Sequence, residues 1–341
     1  MEMESSTSSP NVTNFSTDAE LPEENIFYLA RAMCITCLSL TFILGILGNG
    51  LVIWITGFKM KKTMTTIWFL NLGISDFSFC LFLPLHITEA VLWGNWPFGQ
   101  IICMGRYFTM GLNQCASLLF LTTISIDRCI CVLYPIRSRS NRTSRLATII
   151  SVIIWLLSVA LSFPNFFFTD IINYNNFSLC FLRNGSWDNI TTIHEEMFIL
   201  NFPAMVISDF VFTFLIPFPI IIVCYGLIAF RVRKNKRIPE SSRTLKIILI
   251  TVLCFFFCWV LYHLLPIIDI AGLYIEWPHK FLLYAFADCL AFSNSCLNPV
   301  IYVFVGRDFK ESLKKSIPFL LESTFREKTD PPDILEGNNI L

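Results

Sequence analysis

Apolar residues gather into seven long runs, at approximately 28–56, 66–93, 102–133, 146–168, 203–230, 247–271 and 281–305. Each exceeds the ~20 residues that a helix rising 1.5 Å per residue needs to cross the hydrocarbon of a bilayer. The pattern predicts an all-α membrane protein, a bundle of seven spanning helices occupying residues 27–305. Residues 1–26 form a polar, acidic leading tail, and residues 306–341 a polar trailing one. The segment Gly306-Arg-Asp-Phe-Lys-Glu-Ser-Leu-Lys-Lys315 opens the trailing tail with the pattern of a short amphipathic helix lying on the membrane. Phe309 and Leu313 then face lipid while Lys310, Lys314 and Lys315 face anionic headgroups. No internal repeat is visible, so an inverted-repeat transporter has no support.

Charge gives this pattern a direction. Hydrophobic residues make up 55% of the chain and charged ones 15%, and the formal net charge is zero. The basic residues nevertheless lie almost wholly on one side of the predicted membrane. Of the 25 Lys and Arg, all but Arg31, Arg106, Arg183 and Lys280 lie after the first, third, fifth or seventh run or, for Arg128, at the far end of the third. The positive-inside rule therefore predicts a multi-pass plasma-membrane protein with its N-terminus outside and its C-terminus in the cytoplasm. Residues 1–26 hold six acidic groups and no basic one, without the basic start of a cleavable signal peptide. The sequons at Asn11, Asn14, Asn176, Asn184 and Asn189 all fall in segments assigned to the outside, as glycosylation requires. A sixth, at Asn141, falls in a basic inner loop and should be unused.

Most of the 13 cysteines lie inside apolar runs, where the thiol packs as a small hydrophobe. Cys34 and Cys37 have the spacing of a redox pair, but their place in a lipid-embedded helix favours packing. Only Cys103, where the third run starts, and Cys180, in the second outer loop, lie on the oxidising side away from lipid, and they are expected to form a disulfide.

Ionisable and amide side chains within the spans cost free energy unless they face the bundle interior. Asp76 lies too deep in its run to reach the interface. Asn49, Asn113, Ser117, Asn294, Ser295 and Asn298 lie at similar depths on other runs. Two readings stand: a polar cluster around a small hydrated cation such as a regulatory sodium ion, or ordinary interhelical hydrogen bonding. The four histidines, His86, His194, His263 and His279, fall in no metalloprotease or hydrolase spacing, so neither an enzyme nor a metal site is expected.

Several motifs stand in order along the runs: Gly48-Asn49, Leu72-x-x-x-Asp76, Cys103, Asp127-Arg128-Cys129, Trp155, Pro217 with Tyr225, Phe255-x-x-Cys258-Trp259, and Asn298-Pro-Val-Ile-Tyr302. Along nearly its whole length the chain resembles the rhodopsin-like (class A) G-protein-coupled receptors. Trp93-Gly-Asn-Trp-Pro-Phe-Gly99 and Asn294-Ser-Cys-Leu-Asn-Pro-Val-Ile-Tyr-Val-Phe304 narrow the resemblance to chemoattractant receptors, nearest to the formyl-peptide receptors. It implies a peptide or small-protein ligand, coupling to a heterotrimeric G protein of the inhibitory class, calcium mobilisation, and roles in chemotaxis and inflammation. Arrestin and receptor kinases are partners it admits, and nucleic acid is not. A non-coupling scavenging receptor of the same fold, or a small-solute transporter, is the alternative.

The resemblance also assigns roles. Asp127, Arg128, Tyr225, Trp259, Asn298, Pro299 and Tyr302 are expected to switch the bundle and meet the G protein. Asp76, Asn113, Ser117, Asn294 and Asn298 are expected at the sodium site. Aligned pocket positions are Asp209 and Asp288, with Glu89, Asp269 and Glu276 nearer the rim. His86, Tyr107, Tyr262, His263 and Tyr284 complete a polar, aromatic lining, and Arg106 is the nearest basic group. Such a pocket would accept a basic or amine-bearing ligand end, unless Asp209 or Asp288 pairs internally with Arg106 or His263. Two departures matter. The proline usual two residues after the sixth-run Trp is Leu261 here, with Pro266 one turn further out. The Asp and Arg that formyl-peptide receptors place in the third and fifth spans align with Gly111 and Asp209, so recognition of formyl-methionine by that constellation does not carry over.

Overall fold

The computed structural model describes residues 23–174, 176–182, 195–234 and 241–305. All seven apolar runs are helical, and each helix begins ahead of its run. The first span is Glu23–Trp54, prolonged by a π-helical turn at Ile55–Lys59. It starts before the tail boundary expected at residue 27, because Glu23 and Glu24 place negative charge at the positive end of the helix dipole. The second span is Met64–Cys80 followed by Leu83–Val91. Thr63 caps it in a reciprocal capping box with Thr66. Pro84 lacks the N–H that would bond the Cys80 carbonyl, so the helix breaks there.

The third span, Gly99–Leu133, is joined by the loop helix Pro135–Asn141 to the fourth, Ser144–Phe167, whose N-cap is Thr143. The fifth is Glu195–Phe210, a π-helical turn at Val211–Leu215, then Pro217–Lys234. The sixth is Ser241–Ile270 and the seventh Trp277–Val305. Among the described residues the first six carry windows long and apolar enough to cross a membrane, and the seventh packs along the first and sixth. The third span is the axis of the bundle, touching the second, fourth, fifth and sixth. The outer faces of the surrounding spans are apolar: Leu47, Leu156, Phe230 and Phe257 are each about two-thirds exposed, as lipid-facing side chains should be.

Between the fourth and fifth spans lies an antiparallel hairpin, β1 (Thr169–Tyr174) and β2 (Phe177–Leu182), with Ile171 opposite Cys180. A disulfide joins Cys180 to Cys103 at the start of the third span. The loop before that span locks the hairpin further. Trp96 N–H donates to the Ser178 carbonyl at 2.7 Å, and Ser178 N–H donates to Asn95 Oδ1 at 2.9 Å. The Trp96 ring is buried against the disulfide.

Candidate functional site

A cavity of about 90 Å³ opens beneath the hairpin, between the third, fifth and sixth spans. Tyr107, Met110, Gly111 and Gln114 reach it from one face of the third span, at helical i, i+3, i+4 and i+7 spacing. Asp209 comes from the fifth span, just ahead of its π-helical turn, and Tyr262 and His263 from the sixth. The Asn165 carboxamide fills the space beside Gly111, where any Cβ would collide with it. An acidic side chain at 111 therefore has no room here unless Asn165 moves.

Polar groups in the cavity form one chain. Gln114 Nε2 donates to Thr213 Oγ1 at 3.0 Å and lies 2.9 Å from His263 Nε2. His263 Nδ1 stands 3.5 Å from Asp209 Oδ2, whose side chain is 38% exposed. Beneath it, Tyr262 packs edge-on to Trp259 at 5.3 Å, and Trp259 lies 5.9 Å from Phe255. The sixth helix is continuous across Leu261, and Pro266 on the cavity wall removes the N–H that would bond the Tyr262 carbonyl.

Of the nine residues expected at the pocket, Tyr107, Asp209, Tyr262 and His263 line this cavity, and five stand elsewhere. Arg106 is buried, forms an ion pair with Glu89, and lies over the Trp96 and Tyr107 rings at 4.8 and 4.6 Å. Tyr284 donates to Asp269 at 2.7 Å, and Lys280 reaches the same carboxylate at 2.8 Å. His86 is buried 4.8 Å from the Phe292 ring, its Nε2 without a partner among the described residues. Asp288 is half-buried, within electrostatic reach of Arg106, Tyr107 and Tyr262, and has no hydrogen-bond or ion-pair partner among the described residues. The expected acidity of the rim is thus reduced: Glu89 and Asp269 are paired with Arg106 and Lys280, while Glu276 stays exposed 3.7 Å from His279, and Asp209 and Asp288 have no Lys or Arg partner among the described residues. Gln114, Thr213 and Asn165 were missed, although the third-span spacing already aligns Gln114 with Tyr107 and Gly111.

Deeper in the bundle Asp76 is fully buried. Its Oδ1 accepts from Asn113 at 2.9 Å and Ser117 at 3.4 Å, and its Oδ2 accepts from Asn298 at 2.7 Å. Ser295 donates to Asn113 Oδ1 at 3.3 Å. Asn294 takes no part in these bonds, and its Nδ2 is buried without a partner among the described residues. Asn49 Nδ2 donates to the Ser295 carbonyl at 2.7 Å. That carbonyl is the one Pro299 cannot satisfy, since proline removes the donor four residues on. Gly48 permits the contact: a Cβ there would stand 2.8 Å from Pro299 Cβ.

At the opposite end of the third span Asp127 is clamped by Arg142, from Nε to Oδ1 at 3.0 Å and from Nη2 to Oδ2 at 2.9 Å. Arg128 lies 3.8 Å from the same carboxylate and donates to Thr65 Oγ1. Tyr225 OH is buried there without a partner among the described residues. Sequence reasoning missed Arg142 and Thr65, because both arrive from loop ends and belong to no motif. Tyr302 lies on the seventh helix, and its side chain is outside the described residues. So are the sequons at Asn11, Asn14, Asn184 and Asn189 and the amphipathic segment after residue 305. Asn176 occupies the exposed hairpin turn at φ +67°.

Comparison with known proteins adds an independent finding. Residues 48–302 match the family model described as 7 transmembrane receptor (rhodopsin family). The chain is 37% identical over 338 residues to N-formyl peptide receptor 3 of Pan troglodytes, covering 96% of both. It is likewise 37% identical over 338 residues to N-formyl peptide receptor 2 of Homo sapiens, again covering 96% of both. N-formyl peptide receptor 3 of Homo sapiens is 36% identical, with 96% of this chain and 95% of the relative covered.

Proposed function

This chain belongs to the rhodopsin-family seven-transmembrane receptors of the formyl peptide receptor type, and we propose that it responds to a peptide or small protein inserting a basic or amine-bearing end. Membership makes it a multi-pass plasma-membrane receptor, not an enzyme, with an extracellular ligand and a G-protein partner. The observation that carries the ligand reading is the pair of acids left without a Lys or Arg partner among the described residues. Asp209 stands on the cavity wall and Asp288 outside it, within electrostatic reach of the cavity residues Tyr107 and Tyr262. Asp209 meets the Gln114 amide and a histidine, at 3.5 Å, but no Lys or Arg among the described residues, and Asp288 has no direct partner among them. A carboxylate in a partly desolvated site is costly until a cation reaches it, and an ammonium or guanidinium supplies charge-assisted hydrogen bonds.

The hairpin end then faces outward and the Arg128 end the cytoplasm, in keeping with the distribution of Lys and Arg. In the resting bundle Arg142 and Asp127 hold the loop helix to the third span, and opening exposes Arg128 to a G protein of the inhibitory class. Calcium mobilisation and chemotaxis follow from that coupling. The buried Asp76 carboxylate has no cationic partner among the described residues; its oxygens and Ser117 Oγ suit a hard cation, and Asn113 and Asn298, which present Nδ2 to the carboxylate, would join them by turning their amide oxygens inward. A regulatory sodium ion held there would supply the missing positive charge.

The test is charge reversal. Cells expressing Asp209→Arg or Asp288→Lys are compared with wild type for pertussis-toxin-sensitive inhibition of cAMP by a panel of basic chemotactic peptides. Losing one partner of a buried charge pair costs about 2–5 kcal/mol, so agonist potency should fall at least about 30-fold at unchanged surface density. Full potency in both variants would refute the ligand reading.

A further inference from the structure

We infer that Cys34 and Cys289 form a peroxide-reactive thiol site that closes to a disulfide between the first and seventh spans. Cys34 and Cys37, three residues apart on the first span, both reach the same stretch of the seventh. Cys289 Sγ donates to Cys34 Sγ at 3.6 Å, and Cys34 Sγ donates to the Ala285 carbonyl at 3.8 Å. Cys37 Sγ donates to the Cys289 carbonyl at 3.5 Å. The pairing that the Cys34-x-x-Cys37 spacing suggests is closed off while the helix persists. Residues three apart on a helix hold their Cβ atoms about 5–6 Å from each other, and a disulfide holds them at about 3.5–4.5 Å. Across the seam between the spans, by contrast, the sulfurs of Cys34 and Cys289 are already in contact.

Burial assigns the two roles. Cys34 is half-buried, and Cys289 is buried. Cys34 lies within electrostatic reach of Asp288, which is itself within reach of Arg106, Tyr107 and Tyr262. A small uncharged oxidant, hydrogen peroxide, meets Cys34 first from that polar interior. The Cys34 sulfur attacks one peroxide oxygen, the O–O bond breaks, and the thiol proton leaves with the displaced hydroxide as water. The Cys289 sulfur then attacks the Cys34 sulfenic acid, the S–O bond breaks, and the Cys289 proton leaves in a second water. Two thiols are oxidised and one peroxide is reduced to two waters. The site lies in the half of its span nearer the hairpin end: Arg31, one turn before Cys34, bonds the Ala90 and Val91 carbonyls where the second span ends. With that end outward, the bond forms toward the oxidising side and away from cytosolic reductants. The inference rests on that orientation and on no ligand. Asp288 precedes Cys289, so the bond fixes the turn of the seventh span that carries one of the two acids without a Lys or Arg partner among the described residues.

The experiment uses the full chain in phosphatidylcholine nanodiscs, exposed to graded hydrogen peroxide, alkylated after unfolding and mapped by mass spectrometry. Because no G protein or agonist enters the readout, failure here is distinguishable from failure of the receptor reading. At a dose that oxidises glutathione added to the same discs, wild type should lose the Cys34 and Cys289 thiols together. It should gain a cross-linked peptide pair lighter by two hydrogens, which dithiothreitol removes. Cys34→Ser should lose that pair and keep Cys289 open to alkylation, while Cys37→Ser should form it as wild type does. Both thiols remaining free in wild type at that dose overturns the site, and that result needs no variant to fold. A Cys37–Cys289 bond in wild type overturns the choice of Cys34. Cys34 carried on to sulfinic acid with Cys289 still free overturns the closure and leaves a single oxidisable thiol.

Discussion

Replacing Arg142 by Ala should make the receptor signal without ligand. Arg142 makes two charge-assisted hydrogen bonds to Asp127, at 3.0 and 2.9 Å. The Asp127 side chain is 9% exposed and that of Arg142 29% exposed. Bonds of this type contribute about 1.5–3 kcal/mol each when well buried. Partial exposure of the guanidinium, and Arg128 at 3.8 Å as a substitute partner, reduce the pair to about 2 kcal/mol. If opening breaks the clamp, its removal shifts the resting equilibrium toward the open bundle by about 30-fold. Basal nucleotide exchange on an inhibitory-class G protein, measured in membranes and normalised to surface receptor, reads that shift directly. Arg142→Lys keeps the charge but loses the fork, so its basal rate should fall between Arg142→Ala and wild type. Arg142→Ala membranes with wild-type basal exchange and a wild-type agonist response would show that the clamp does not hold the resting state.

Three further outcomes test other parts of the bundle. Arg128→Ala should abolish agonist-evoked G-protein activation while surface density stays near wild type; normal signalling from it would remove Arg128 from the coupling interface. Asn49→Ala leaves the Ser295 carbonyl without a donor and should lower stability by about 1–2 kcal/mol, seen as a lower melting temperature in detergent; an unchanged melt means another donor covers that carbonyl. Gly48→Ala drives a methyl into the rigid Pro299 ring and should cost about 1–3 kcal/mol in the same assay, and a melt at the wild-type temperature would contradict the close approach.

Legibility follows the range of the interaction. Apolar runs of bilayer length are a local property, so all seven spans can be read from the chain. Cys103 and Cys180 can be paired because compartment excludes the other thiols. The hairpin is not among the expected elements, although Thr169–Tyr174 and Phe177–Leu182 flank an asparagine pair suited to a tight turn. Partnerships are harder still. Whether Arg106 meets Glu89 or Asp288 depends on which spans cross at that depth, and no periodicity records it. The same holds for Arg142, which belongs to no motif yet holds Asp127 by two bonds. The π-helical turn at Val211–Leu215 has no recognisable sequence pattern of its own, yet it sets where Thr213 meets His263.

The arrangement along the third span indicates how the ends of the bundle communicate. Gln114 belongs to the cavity network and Asn113, its neighbour in sequence, to the Asp76 cluster. One turn further Ser117 donates to the same carboxylate, and at the far end Asp127 meets Arg142. The proposed ligand cation, by drawing Asp209 away from His263, would alter the partners of Gln114, and with them the balance of bonds that positions this turn. Adjacent residues on one helix cannot shift independently, so the change reaches Asn113 and thus Asp76. The ligand's differential affinity for the two arrangements sets how far the equilibrium moves. Trp259 offers a parallel route through Tyr262, but its Nε1 makes no hydrogen bond among the described residues, so packing holds it and it can turn when Tyr262 moves. On the proposed reading, the polar route on the third span would hold the resting state by specific bonds, and the aromatic route on the sixth would yield once those bonds are exchanged.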